Sequence, residues 1–531
     1  MYRRDEQGMS LVLVMLSLTF MMMLATAAIQ YGLGSQRSSK RDADWQSAQS
    51  AAEAGIDDYV YRLNENSGYT AYNATNLPSD GNNAFAQYVP VPGGSTRSYF
   101  RYSVDTSQLT VDGTILLTST GQVGQRKRTV QATIRRRNFL DYLYFTDYET
   151  SDPASYTGNP FTAAQAQVSC ALHEYEGRNS QCYDIVFPTA DTINGPMHSN
   201  DEIQMCGNPT FNGKTSTGWN PTSGSRWVDA CPTSHPSFAN SGDPQYAGIL
   251  AIPPSNSAIK TQTTTAAGGC LYTGPTRIKL LSSGQMTVKS PFSKQTNNSC
   301  PTNGTGNKPS NGVIYVQNVP SASGDVNYTN GCPYTVNNQS HPLGMPIANE
   351  TTSYGCRNGD AFVEGTLKGQ LTIAADNNVE ITWNLTYNGG TSGTDLLGLI
   401  ANNYVEIWHP ISCSGNSCSN LDANFPSETA RNSPFSSPTI QSAMLAVNHS
   451  IRLQNAGSGS TLGTLNIYGA LGQRFRGPVG AVSGTTLVAG MAKNYTYDQR
   501  LKYQSPPKYL DPVASAFAIA VWKEIPVPSG M

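Results

Sequence analysis

Asp147 and Glu149 are the first residues in this chain whose types and spacing suggest chemistry, because two carboxylates one residue apart on an extended segment share a face. Hydrolysis of a glycosidic bond needs two carboxylates about 5–10 Å apart across a groove. Glu364, Asp376 and Glu380 form a second candidate group. Asp147-Tyr148-Glu149 equally fits a hydrogen-bonded joint between two parts of the fold. Glu380 and Glu406, each central in a Val-Glu-Ile triplet, are expected to point outward into solvent. The histidines His173, His198, His235, His341, His409 and His449 lack the HExxH or HxH spacing of a metal site, and His173-Glu174 reads as surface. No serine lies in a G-x-S-x-G elbow, and Gly389-Gly390-Thr391-Ser392-Gly393 lacks the Lys-Ser/Thr that completes a phosphate loop. No catalytic, cofactor-binding or metal-binding residue is assigned, and the expectation is a protein that is not an enzyme and carries no cofactor.

The ten cysteines, Cys170, Cys182, Cys206, Cys231, Cys270, Cys300, Cys332, Cys356, Cys413 and Cys418, all lie between residues 170 and 418. An even count confined to one region favours disulfides in an extracytoplasmic setting over zinc ligation, which would show paired CxxC spacing. Sequential pairing is the simplest arrangement, and the Cys413 to Cys418 pair around Ser-Gly-Asn-Ser is the best founded, although spacing alone leaves other connectivities open.

The elements that would position these residues follow from composition. The chain has 531 residues, 13% charged and 38% hydrophobic, with 49 Gly and 32 Pro. That excludes a helical bundle, and 28 Tyr, 15 Phe and 6 Trp exclude a disordered chain. A net charge of −2 excludes electrostatic binding of nucleic acid. A turn-dense, Asn- and Gly-rich, mainly β protein remains.

Its N-terminus differs. Met9 to Ile29 is an uncharged run of 21 residues, enough for a helix to cross a hydrocarbon core of about 30 Å. The leader MYRRDEQG carries charges of both signs, unlike a secretory signal, although Ala25, Ala27 and Ala28 keep cleavage after Ala28 open. Trp45, Ala48, Ala52, Ile56, Tyr59 and Leu63 then recur at steps of three and four, so an amphipathic helix continues from the apolar one.

The leader ending in Gly8, the Gly8-Met9 junction, the apolar run and the segment SAAEAGIDDYVYRL together resemble the N-terminus of type IV pilin-like proteins, specifically PilX-like minor pilins. The resemblance implies that a prepilin peptidase cuts after Gly8 and that the new amine on Met9 is methylated. It implies other pilin subunits, the pilus assembly machinery and the cytoplasmic membrane as partners. It also implies a single-pass membrane form with the bulk of the chain outside, and a pilus or cell-surface form after assembly. Major pilins carry glutamate as the fifth mature residue, where this chain has Leu13. A buried carboxylate needs a partner, so Leu13 cannot make that assembly contact and points to a minor, tip-located subunit. Arg37, Lys40 and Arg41 follow the span on the side the resemblance places outside, against the positive-inside tendency.

The body divides by pattern into a leader (1–8), the helix (9–65), a small antiparallel β head with a joint (66–150) and a large β-solenoid-like domain (151–531), an irregular β-sandwich being the alternative. SYFRYSVDTS, GTILLTSTG and RKRTVQATIRRRN alternate with period two and mark the strands of the head. Arg126, Lys127, Arg128, Arg135, Arg136 and Arg137 read as charges on a solvated strand edge, the alternative being a patch for lipid head groups or DNA. Ile203/Met205, Val379/Ile381, Val405/Ile407 and Ile451/Leu453 follow the pattern Asn/Asp, two residues, then two apolar positions, which suits stacked rungs. The step from Val405 to Ile451 reads as about two repeats, and about 206–356 as a disulfide-pinned surface insertion. INGPMHSNDEI, LLGLIANNYVEIWHP and NYTYDQRLKYQSPPKYLDP resemble the large C-terminal regions of actinobacterial PilX-type pilus assembly proteins, a resemblance that transfers no active residues. Adhesion to a surface glycan or envelope polymer is the expected activity. A membrane-anchored carbohydrate-active enzyme and an anchored structural protein outside any pilus are the alternatives.

Overall fold

The apolar run and the amphipathic segment after it form one continuous helix, α1 (Glu6–Glu65). The computed structural model describes residues 6–109, 114–136, 138–189, 191–231, 233–239, 242–332, 343, 355–414, 417–420, 435–483, 486–502, 504–512 and 517–530. His341 and Arg137 therefore lie outside the described residues. The chain forms two units, Met1–Arg136 with Ala516–Met531, and Arg137–Ser515.

In the first unit, residues 11–33 of α1 are exposed along their whole length, and this stretch is apolar and long enough to cross a membrane. Further along, Ala48, Ala52, Ile56, Tyr59 and Leu63 turn one stripe of the helix onto a five-stranded sheet and are fully buried. The sheet runs β1 (Val89–Pro90), β2 (Ser98–Asp105), β3 (Thr114–Val123), β4 (Arg126–Arg136) and then the C-terminal strand Phe517–Ile525, all antiparallel. Tyr59, Tyr69, Phe85 and Tyr102 pack mostly edge to face, with ring centroids 4.9–6.1 Å apart. Asn82 Nδ2 donates to the Tyr69 and Tyr102 hydroxyls (2.7 and 2.5 Å), which satisfies polar atoms inside this aromatic core.

Small residues let the helix come close. A Cβ on Gly121 of β3 would lie 2.1 Å from the Ala48 carbonyl oxygen and 2.3 Å from the Ala52 nitrogen. A Cβ on Gly55 would lie 2.3 Å from Ser119 Oγ and 2.9 Å from a ring carbon of Phe100. The Ala51 to Ile56 string thus has a local physical role: it is the face on which helix and sheet meet.

The second unit is built from parallel ladders. One joins strands Thr276–Leu280, Ala361–Leu367, Val379–Tyr387, Val405–Ile407 and Ile451–Leu453. Another joins Cys270–Thr273, Val313–Gln317, Gln370–Ala375, Leu396–Ala401, Thr439–Ala446 and Thr461–Phe475. Strands buried on both faces read as continuous apolar runs, and Leu396–Ala401 is buried at every residue. From Thr461–Phe475 the stack passes to Thr486–Tyr497 and Tyr144–Tyr148, and from these to Thr192–Asn194 and Met197–Ser199, so the beginning of the unit stacks on its end. Asn and Asp hold the turns of neighbouring strands together. Asp360 Oδ1 accepts from Asn377 Nδ2 (2.5 Å) and the Asn378 amide (3.1 Å), and Asn377 Oδ1 accepts from Asn403 Nδ2 (2.6 Å). Near Leu250 and Asn256 the connecting segment lies against the stack: Leu250 exchanges two bonds with Asn200, and Asn256 Nδ2 donates to the Ala375 and Ile400 carbonyls.

Several sequence expectations change here. Val379, Glu380 and Ile381 lie in register with Val405, Glu406 and Ile407, and these with Ile451, Arg452 and Leu453, so Val405 to Ile451 is one step. Met205 sits in a separate three-stranded sheet, in Gln204–Cys206 between Phe187–Pro188 and Val228–Asp229. Residues 270–317 are no surface insertion, since Tyr272, Ile278 and Val313 to Val316 are core. The expected boundary at 150 moves to Arg136, because Phe139, Leu140, Leu143 and Phe145 are buried in the second unit. Residues 517–525 belong to the first unit, drawn there by backbone pairing with β4. β4 is consequently an interior strand, Arg128 is ion-paired with Glu524 (2.5 Å), and Arg126 to Arg128 lie at one end of it with Arg135 and Arg136 at the other.

The cysteines pair as Cys170–Cys182, Cys206–Cys231, Cys270–Cys300, Cys332–Cys356 and Cys413–Cys418. By the chain-entropy argument, the Cys270–Cys300 bridge, which closes the longest loop, contributes about 3–4 kcal/mol.

Candidate functional site

In a chain poor in charge, the second unit buries an ionic network where its first strands meet its last. Arg178 is the hub of one part and its side chain is fully buried. Its Nη1 donates to Asp201 Oδ2 at 2.5 Å, while Nε and Nη2 face Glu174 and Asp184 at 3.0 and 2.9 Å without hydrogen-bond alignment. Asp201 is also fully buried and accepts from the backbone amides of Glu149, Glu174 and Glu202.

Beside it, Asp147 Oδ1 accepts from Asn200 Nδ2 (2.8 Å) and faces His173 Nε2 (3.3 Å), and Asp147 Oδ2 faces Arg474 (3.4 Å). The His173 ring stacks on Tyr175 and its Nδ1 is 2.9 Å from Glu176. Arg476 lies over the Phe187 ring, bonds Glu149 Oε2 (3.1 Å) and the Ile185 carbonyl (2.7 Å), and shares Asp191 with Lys493. The carboxylates come from residues 147–202, and Arg474, Arg476 and Lys493 come from or directly follow the late strands Thr461–Phe475 and Thr486–Tyr497. The network therefore rivets the two ends of the stack together.

Burial works against charge here. Glu149 is held above its usual value by burial although Arg476 opposes this, and Glu174 and Asp184 are raised for the same reason against Arg178. Glu202 is pushed up to about 7 by burial and by Glu174 and Asp201, and Asp360, in the rung turns, is pushed up to about 7 by burial. For His173, burial lowers the pKa but the bond and charge of Asp147 outweigh it, so the net shift is upward. Each of these six groups holds a proton more tightly folded than unfolded. The stability this gives is complete below the unfolded pKa and is lost as pH rises through the folded one. The second unit is expected to lose about 2 kcal/mol or more between about pH 5 and pH 8. Urea midpoints across that range measure it, and Glu202→Gln and Asp360→Asn should each flatten the profile; a flat wild-type profile would contradict it.

The residues singled out in the sequence are dispersed. Gly8 and Met9 fall in the first turns of α1, and Leu13 is 72% exposed on the apolar stretch. Asp147 and Glu149 do share a neighbourhood, each held by its own cation. Glu380 and Glu406 do not point into solvent as expected: both are fully buried, and Glu406 is 2.5 Å from Arg452, whose guanidinium covers the Tyr404 ring. Buried carboxylates fit this ladder because arginine supplies the opposite charge inside it. Glu364 pairs with Arg277 (2.6 Å), and Asp376 accepts from the Tyr315 hydroxyl (2.5 Å). His198 lies between Ser216 and Asn200, His409 contacts the Gln454 carbonyl and Asn420, and His449 faces Asp152. His173 is buried rather than at the surface. Among the described residues no group of three His, Cys, Asp or Glu is arranged to hold a metal ion. Sequence reasoning missed Arg178, Asp201, Arg474 and Arg476; the available signal was a concentration of charge around 174–202 and 474–502 in an otherwise neutral body.

No protein-family model matches the chain, and no curated protein matches it. Among solved structures it is similar to the competence-associated pilin ComZ from Thermus thermophilus, with a TM-score of 0.26 and 13% identity over 91% of this chain and 97% of that one. At that score the likeness carries no functional assignment.

Proposed function

We propose that the chain is a minor subunit of a type IV pilus-like filament, PilX-like in its N-terminus, stored as a single-pass membrane protein and carrying its large unit outside the cell. One observation carries this reading. A single helix is bare and apolar over residues 11–33, and then lays Ala48, Ala51, Ala52 and Gly55 against a small antiparallel sheet. A bare apolar helix needs lipid or other helices around it, and such a helix can exchange one for the other when a subunit moves from membrane to filament. Leu13 in place of a carboxylate favours a position at the tip, where no preceding subunit's amine has to be met. A prepilin peptidase would cut after Gly8.

The second unit, in this reading, is a β-solenoid-like body that displays neutral Asn, Thr and Tyr to a glycan or envelope polymer. Its role is structural and adhesive, without catalysis. The engagement of Asp147 by Arg474 and of Glu149 by Arg476 supports this, since neither carboxylate is left to attack a substrate. Terminal mass spectrometry of the mature protein is expected to find a chain starting at N-methylated Met9. An intact Met1, or a start after Ala28, overturns the reading.

A further inference from the structure

α1 carries no charge from Met9 to Gln36, a length of about 42 Å at 1.5 Å per residue. A bilayer with its head groups measures about 40–45 Å. Arg37 therefore stands where the head-group layer ends, and Lys40 and Arg41 follow within about one turn. All three are exposed and make no ion pair among the described residues. Arg62, Arg97 and Arg128 of the same unit are each paired with a carboxylate.

The sheet brings further groups to within about 10 Å of this level along the helix. The turn between β3 and β4 lies beside Asp44, close enough that a Cβ on Gly124 would be 3.8 Å from the Asp44 carboxylate. It carries exposed Arg126, with Lys127 set over the Tyr88 ring. Arg97 pairs with Asp44 at 3.2 Å. Trp45, 47% exposed, sits under the Arg128 guanidinium. Around this rim stand Arg37, Lys40, Arg41, Arg97, Arg126 and Lys127 against the carboxylates Asp42 and Asp44, apart from the Arg128–Glu524 pair. Exposed cations on the far side of a span run against the positive-inside tendency. Their position is accounted for if they meet a negatively charged surface at that depth.

We infer that Arg37, Lys40, Arg41 and Arg126 form a collar that binds anionic phospholipid head groups on the non-cytoplasmic face, with Trp45 at its edge. The inference rests on the membrane-stored reading above. Such a collar would hold a reserve subunit upright at the bilayer surface and would be released when the helix enters a filament.

The test uses the full chain, wild type and the variant R37Q/K40Q/R41Q/R126Q. Both are inserted into vesicles of phosphatidylcholine alone or mixed with phosphatidylglycerol, then extracted in mild detergent and weighed by native mass spectrometry to count retained lipids. Wild type is expected to retain phosphatidylglycerol over phosphatidylcholine by about tenfold, and the preference should collapse at about 0.5 M salt. The variant should insert normally and show near parity. Insertion of wild type with equal retention of both lipids overturns the collar and leaves the membrane reading standing. Preference surviving in the variant overturns the assignment to these residues. Failure of wild type to resist alkaline extraction overturns the membrane reading, and the collar with it.

Discussion

Arg178→Ala is expected to cost the second unit about 3–5 kcal/mol, because it removes the one cation set among Glu174, Asp184 and Asp201 in a fully buried place. What is lost exceeds the bonds themselves, since three carboxylates remain facing each other with Glu202 close by. Lysine at this position keeps the charge but not the planar fork that reaches three partners, so Arg178→Lys should recover only part of the loss. The deficit should also shrink on acidification, since protonation relieves carboxylates that have lost their counter-charge. Urea denaturation at about pH 7.5 and pH 4.5 provides both readings. A deficit under about 1 kcal/mol that does not change with pH would show that Arg178 is solvated rather than a hub.

Gly121→Ala should detach helix from sheet in the first unit at a cost of at least about 3 kcal/mol, the upper range for overpacking. Glycine inside a strand is ordinarily a weak point, and alanine there would be neutral or favourable. The sign reverses at Gly121 because the atoms a methyl group would strike belong to the backbone of α1 and cannot rotate away. Gly55→Ala makes the instructive contrast. It meets the Ser119 hydroxyl and the Phe100 ring, which can turn, so a loss of only about 1 kcal/mol is expected. Hydrogen exchange across residues 46–63 should accelerate strongly in the first variant and modestly in the second, with the second unit unchanged. Equal acceleration in both would refute the backbone contact.

The elements that could be read from the sequence are those whose signal is local. The period of Ala48, Ala52, Ile56, Tyr59 and Leu63 marks a helix stripe because helical neighbours are three and four residues apart. The Val-Glu-Ile triplets at 379 and 405 mark neighbouring strands of one parallel ladder, which sets like residue on like. The charge of Glu406 misled, since the arginine paired with it, Arg452, lies on the next strand of the ladder, 46 residues further along the chain. The ionic network was illegible for the same reason, with Asp147 and Arg474 separated by 327 residues. FAIAVWKEI reads as a strand, but nothing within it tells that its partner is Thr129 to Arg136.

The order of stacking bears on how the protein comes to be folded. One edge of Tyr144–Tyr148 pairs with Met197–Ser199, but the other waits for Leu471 to Phe475, and the edge of β4 away from β3 waits for Phe517–Ile525. Pairings of such long range are slow to form, and unpaired strand edges are prone to aggregate while they wait. A chain synthesised from its N-terminus would expose edges of both units until strands beyond residue 460 arrive. The late strands thus act as a latch for both units, and a chain cut short before them leaves neither sheet complete.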